Sequence, residues 1–390
     1  MKWIKYGFML MLSLVIMFFG HTILELSATE NEDGVDGQFN SQGFNNDADI
    51  EAVRLFQVIG STSTAINAGE SLQPQNTYRF EIDVFDFDSV NDIETLEIRL
   101  FYVASGSGLG LNDAFEATTT TSDDGSTLVL RFTNDKDEGG SFALITNAAV
   151  SWELMNTTVP AVNVTDQAFT FEVEFKISKV ATFSTDAEWH LGLLVTDGFL
   201  AEGADLRTVT YASISLGNDP LVGASTFNMN WYGEISVPDE TSVSWPLLLP
   251  GSDFDAVNNN ATLPAITYIS NGGYAREVNS TATWVATQAG ITNAPNANLN
   301  LVTSAAVEDF APQTFGLRIN EADENYDTDL GNAITILDGF SETGIQTEGT
   351  NEAGVLVRYE VFIALSRNFQ NATYEGRLTF LITNLLEVGS

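Results

Sequence analysis

The chain has 390 residues, 53 of them acidic and 15 basic, with a net charge of −38 and no cysteine. Such a surface repels nucleic acid and anionic lipid, and its natural counter-ions are metal cations and salt. Without cysteine there is no thiol nucleophile and no disulfide, so stability must come from core burial, ions or assembly.

Residues 1–28 carry Lys2 and Lys5, then an apolar run from Tyr6 to Leu24, then the small pair Ser27-Ala28. A basic start, an apolar core and small residues at the end are read by an export machinery as a signal peptide. The run of about 20 residues is also long enough for an uncleaved anchor, and Leu26 fits a cleavage site poorly. A membrane is therefore a partner only if residues 4–24 are retained. Either way the predicted location is extracellular or at the cell surface. Residues 29–50 are acidic and rich in Gly and Asn, and predict a flexible tail.

From there the chain reads as short runs of Val, Ile, Phe, Tyr and Thr bounded by Gly, Asn and Asp, a strand signature. The clearest in the first half are 52–58, 77–85, 95–103, 127–133, 168–178 and 206–216. In 168–178 Phe169, Phe171, Val173, Phe175 and Ile177 line one face and Thr170, Glu172, Glu174 and Lys176 the other. That alternation predicts an antiparallel sandwich sheet with one wet face. The second half repeats the style at 227–237, 242–249, 265–270, 276–286, 314–320, 355–365 and 374–386. No helical periodicity follows the first segment. The predicted fold is all-β, two tandem Ig-like antiparallel β-sandwich domains over 51–219 and 220–390, parted at LGNDPLVGAS (216–225).

FEIDVFDFDSVNDIETLEIRLFY (80–102) and EWHLGLLVTDG (188–198) resemble the Ig-like or cadherin-like modules of large prokaryotic surface proteins. SWPLLLPGSDFD (244–255) and ITYISNGGYAREVNSTATW (266–284) resemble a further Ig-like module of archaeal surface proteins. The resemblance implies a fold and a scaffolding role, and an archaeal cell surface suits the acid surface and missing cysteine. It transfers no functional residue. Asp86, Asp88, Asp92 and Asp197 match acidic turns that bind calcium in some relatives.

The residues themselves point the same way, because calcium takes six to eight oxygens and DVFDFDSVND concentrates them at a strand end. Alternation places Asp86 and Asp88 on one face and Phe85 and Phe87 on the other, with Asp92 in the loop. The bland alternative is an acidic turn capping its own backbone. A second acidic run, 320–332, offers Asp323, Asp327 and Asp329, but Thr328 replaces the glycine an EF-hand loop requires, so a solvated loop is predicted. Asn156, Asn163, Asn260, Asn279 and Asn371 begin N-x-S/T sequons and are candidate N-linked glycan sites.

Catalysis has little to stand on. His190 is the one histidine after the N-terminal segment, in a strand where alternation opposes it to Trp189 and Leu191. No G-x-S-x-G, phosphate loop or dinucleotide fingerprint occurs in context. Trp152, Trp189, Trp231, Trp245 and Trp284 could line a sugar-binding face, but within strands they read first as core. The expectation is a non-enzymatic structural subunit. It would form a homo-polymer in a surface filament, sheath or layer, with segment 50–58 donated as a strand to a neighbour. An adhesin or carbohydrate-binding surface protein is the alternative.

Overall fold

In a computed structural model the described residues are 48–105, 107, 125–135, 139–145, 152–163, 165–197, 209–212, 226–238, 242–254, 256, 258–287, 294–299, 310–321, 334–336, 342–346 and 349–384. They are all-β, and the helical structure among them is one 3-10 turn, Val90–Asp92. The signal segment, residues 29–47 of the acidic tail, the predicted boundary at 216–225 and the 322–332 portion of the second acidic run lie outside the described residues. Residues 48–50, predicted as the end of the tail, are described, and Asp49 and Ile50 already pair with Thr77–Phe85 as the start of the Asp49–Ile59 strand.

Strict alternation builds the first sheet. In Thr77–Phe85 the side chains of Tyr78, Phe80, Ile82 and Val84 are buried, while Arg79, Glu81 and Asp83 face outward. Ala168–Lys176 pairs with it antiparallel along its whole length, setting Phe175 against Tyr78, Val173 against Phe80 and Phe171 against Ile82. Each such buried side chain stabilises the fold by about 1.5–3 kcal/mol. The outward face is laced by charge: Arg54 grips Asp83 through two nitrogens at 2.7 and 2.9 Å, and Thr170 donates to the same carboxylate. That guanidinium holds the Asp83 carboxyl below the usual carboxylate range.

The first sheet is ordered Thr62–Ile66, Asp49–Ile59, Thr77–Phe85, Ala168–Lys176, Glu153–Asn156. The second runs Ser71–Leu72, Thr226–Met229, Ser184–Asp197, Ile93–Tyr102, Thr127–Asp135, Gly139–Leu144, Thr158–Val159, with Val209–Ala212 also on Ser184–Asp197. Their inner faces meet in one hydrophobic cluster, with Trp189, Phe80, Phe171 and Leu130 among its buried members. Three further sheets follow. Gly233–Ser236, Ile266–Ser270 and Val355–Val357 form one, and Glu342–Gln346, Tyr274–Ser280 and Leu378–Asn384 another. The largest of the three runs Asn260–Thr262, Tyr359–Leu365, Thr314–Glu321, Ala297–Leu299, Thr283–Ala286, Tyr374–Glu375, with Ile334–Ile336 on Thr314–Glu321. They enclose a second cluster around Tyr268, Tyr274, Trp284, Phe315 and Tyr359. Among the described residues pairing is antiparallel except at two short contacts, Thr226–Met229 with Ser71–Leu72 and Ala297–Leu299 with Thr314–Glu321.

The passage between the clusters is built on Asn271, which is 4% exposed. Its side-chain NH₂ donates to the carbonyls of Ala181 (2.7 Å) and Asn230 (2.9 Å), and its Oδ1 accepts from the Tyr232 N–H at 2.7 Å. Its own carbonyl accepts from the Phe183 N–H. Ile269, two residues earlier, packs into the first cluster. Lys179 and Glu234 add an ion pair at 3.6 Å.

Several predicted strands divide here. Residues 227–237, read as one strand opening the second half, are two. Thr226–Met229 joins the second sheet and gives Phe227 and Met229 to the first cluster, while Gly233–Ser236 goes to the third sheet. The run breaks at 230–232 because Asn271 takes the backbone groups a ladder would have used. Residues 355–365 split at Arg358 between two sheets, and 276–286 between Tyr274–Ser280 and Thr283–Ala286. Residues 242–249 are no strand at all. Pro246 lacks a donor, Leu247 and Leu249 are 84% and 70% exposed, and Trp245 is fixed by donating to the Val361 carbonyl.

Candidate functional site

Thr77–Phe85 ends where the acidic turn begins, and alternation ends with it. Asp86 is 0% exposed while Phe87 is 62% exposed. The expected common face for Asp86 and Asp88 is not formed, because Asp88 points to solvent. The backbone explains the reversal. Asp86 Oδ1 accepts the Asp88 N–H at 2.8 Å, which folds the chain back, and Ser89 Oγ accepts from the Asn91 N–H to start the Val90–Asp92 turn. The Asp86 N–H is spent on the Gln167 carbonyl and the Val90 N–H on that of Asp166. Asn134 donates to the carbonyls of Asn91 and Ile93, pinning the far end of the turn.

Asp92 is thereby brought beside Asp86, side chain to side chain. Asp86 Oδ2 is buried without a hydrogen-bond donor, and no Lys or Arg among the described residues forms an ion pair with it. Burial pushes the Asp86 carboxyl above the usual carboxylate range. The backbone of Asp197 pairs with Ile93, so that strand end does reach the turn. Among the described residues no group of three or more His, Asp or Glu side chains converges as a metal site. The turn therefore brings together two carboxyl groups, not four.

The second place of interest is the hairpin Asp49–Ile59/Thr62–Ile66. The predicted donor segment 50–58 lies inside its own sheet, paired on one side with Thr62–Ile66 and on the other with Thr77–Phe85, with Val53 and Leu55 buried. Only Gly60 and Ser61 join its two strands. Thr62–Ile66 has no second partner among the described residues, and its side chains are exposed or nearly so. From Ala52 to Gly69 the chain carries no acidic residue, although its net charge is −38.

His190 stands against the Phe101 ring with its Nδ1 buried and without a hydrogen-bond partner, while Trp189 and Leu191 are buried on the opposite face. Burial lowers its pKa and Glu188 acts weakly against that. Trp152, Trp189 and Trp284 are core residues, and Trp231 and Trp245 pack half-buried on the second cluster. Asn156, Asn163, Asn260 and Asn371 are exposed, whereas Asn279 is half-buried in a central strand of its sheet. Among the described residues no helix is long and apolar enough to cross a membrane. The buried clamp at Asn271 escaped sequence reasoning as a site, although its I-S-N-G-G turn was the signal.

No known protein family and no curated protein matches the chain. Among solved structures it is similar to a 35 kDa C-terminal fragment of the major pilin GBS80 of Streptococcus agalactiae. Identity is 10%, over 86% of this chain and 91% of that one, with a TM-score of 0.22. At that score the superposition carries no argument about fold or role.

Proposed function

We propose that the chain is a non-enzymatic structural subunit of an extracellular filament, sheath or surface layer, and that copies join by exchanging the Asp49–Ile59 strand. The observation that carries this is the hairpin. A first strand that is paired on both sides and is joined to its neighbour by two residues can leave one sheet and enter the same place in another copy. Every ladder bond and the seats of Val53 and Leu55 are then remade, so the exchange costs little beyond opening the turn. Passed on from each copy to the next rather than swapped reciprocally, the strand makes a head-to-tail contact, which propagates into an open polymer where a two-fold contact would close. The acid-free stretch from Ala52 to Gly69 lets two strongly acidic chains meet there without carboxylate facing carboxylate. Glycans on Asn156, Asn163, Asn260 and Asn371 would keep other exposed faces apart; Asn279, half-buried, is the weakest acceptor.

The missing cysteines supply the test. Val58 pairs with Thr77 across the ladder, so one batch of chains carries Val58→Cys and another Thr77→Cys, and the two are mixed under oxidation. Covalent dimers containing one of each, together with filaments or sheets by negative-stain electron microscopy, are the expected result. Exclusively uncrosslinked chains, with a Val58→Cys/Thr77→Cys double variant closing its bridge within one chain, would refute the exchange.

A further inference from the structure

We propose that Asn271 is a modification site guarded by the seam it holds: while the two clusters stay joined its amide is kept, and once they part the amide is lost spontaneously as ammonia and the seam cannot be remade. Of all the asparagines in the chain, Asn271 alone is followed by glycine. In that pair the glycine nitrogen reaches the asparagine side chain most readily, because no Cβ stands in the way and the backbone turns freely. The fold nevertheless needs both residues. Asn271 serves the Ala181 and Asn230 carbonyls and the Tyr232 N–H together, and a Cβ on Gly272 would meet the Phe183 Cβ at 2.8 Å.

The reaction joins the Gly272 backbone nitrogen, which gives up its proton, to Cγ of Asn271. The Cγ–Nδ2 bond breaks, and ammonia leaves with that proton. Water then opens the cyclic imide at one carbonyl or the other, giving aspartate or isoaspartate. The closed seam blocks the first step in three ways. The Gly272 N–H is turned to Ser270 Oγ at 3.3 Å. The Asn271 backbone is held by its N–H on the Tyr232 carbonyl and its carbonyl on the Phe183 N–H. The side-chain amide is fixed at all three of its hydrogen bonds, and both residues are buried from the water that must stabilise the leaving group.

Either product would keep the seam open. A carboxylate at 271 has no hydrogen to give and would set its charge against the Ala181 and Asn230 carbonyls, where the amide donates. Isoaspartate also lengthens the main chain by a carbon where there is no slack, since a Cβ on Gly349 would already meet the Asn271 carbonyl carbon at 2.9 Å. With no cysteine, no disulfide can hold the halves instead. The pair thus turns a transient opening, by heat or by pulling, into a permanent one.

The test ages the full chain at mildly alkaline pH, in native buffer and in enough urea to unfold it, and maps residue 271 by peptide mass spectrometry. The urea-treated chain is then returned to native buffer, the fraction altered at 271 alone is isolated by ion exchange, and both are melted. Conversion in the native chain should be at least about a hundredfold slower than in urea, because it waits on the rare open form. The altered fraction should melt lower than the unaltered chain, and freshly made Asn271→Asp should match it without ageing. Conversion at equal rates in the two buffers would overturn the proposal, as would an Asn271 that survives in urea or an altered fraction that regains the original melting temperature. Should Asn271→Asp fail to fold, the isolated fraction decides alone. All of this is read on dispersed chains and is independent of the strand exchange.

Discussion

Asn271 donates from its side-chain amide to the carbonyl of Ala181 at 2.7 Å, across 90 residues of chain. The same amide serves Asn230, and its oxygen serves Tyr232, so one buried side chain satisfies three backbone groups where the first cluster gives way to the second. Truncation to Asn271→Ala strands all three. At about 1–3 kcal/mol for each buried polar group left unmade, partly relieved by water, the loss should be about 3–5 kcal/mol. Asn271→Asp should be at least as harmful, since a carboxylate would face the two carbonyls. Differential scanning calorimetry should show the melting of the variant separating into two transitions, because the clamp couples the two halves. An unsplit transition at the original temperature would show that the seam is held by other means.

Glu97 poses a different problem in the second sheet, where both it and Arg99 are buried. Arg99 reaches one of its oxygens, with Nε at 3.0 Å, and Arg131 the other at 2.7 Å. Removing the carboxylate in Glu97→Ala deprives a buried guanidinium of its counter-charge, and a loss of about 3–5 kcal/mol is expected. Replacing both buried partners, Glu97→Leu with Arg99→Met, should recover most of it, because a buried pair often only offsets its own desolvation. Urea unfolding of the three chains makes the comparison. A double variant no better than the single one would mean that Arg99 has a further role.

His190 gives the fold a pH dependence of known sign. Burial lowers its pKa and Glu188 opposes this weakly, so the folded chain keeps the ring neutral where the unfolded chain protonates it. The unfolded state then binds more protons below the ordinary histidine pKa of about 6.5. The contribution is whole above that pH and is lost as the pH falls through the window beneath it. The group is only partly shielded, so the effect should stay under about 1 kcal/mol. His190→Gln should flatten the stability profile between about pH 6.5 and 5. Identical profiles for the two chains would show that the ring titrates as it does in water.

Much of this was legible in the residues, for a reason that also marks the limit. Tyr78, Phe80, Ile82 and Val84 against Phe171, Val173 and Phe175 state strand, face and partner at once, because a half-buried antiparallel sheet writes itself with period two. The same period cannot say when a strand changes sheets. Val357, Arg358 and Tyr359 alternate without a flaw, yet the first pairs with Ile266 and the last with Glu321. Nor can it place Asp86, whose burial follows from hydrogen bonds to Asp88 and Gln167 made after the strand has ended. Asn271 was visible as part of a turn. Its three partners belong to segments about 40 and 90 residues away, which no local pattern reports.

Two glycines separate the cost of a turn from its use. Gly60 has φ +60° with open space around its Cα, whereas Gly354 has φ +75° and a Cβ there would meet the Tyr268 carbonyl oxygen at 2.6 Å. Both conformations disfavour side chains, and β-branched ones most. Gly354→Val should therefore lower stability by several kcal/mol, through strain and collision together. Gly60→Val meets no neighbour and should cost about 1–2 kcal/mol of turn strain in the closed hairpin. An extended linker between Asp49–Ile59 in one copy and Thr62–Ile66 in another does not need the left-handed conformation. The strain thus falls on the closed form alone, and a penalty of 1.4 kcal/mol is a factor of ten in the balance. Gly60→Val should assemble at about tenfold lower concentration than the unaltered chain, and Gly60→Asn, which tolerates that conformation, should lie between them. Gly354→Val should leave the assembly threshold of its folded fraction unchanged. Sedimentation across a dilution series reads all three. A Gly60→Val chain that is less stable and no readier to assemble would show that the hairpin stays closed in the polymer.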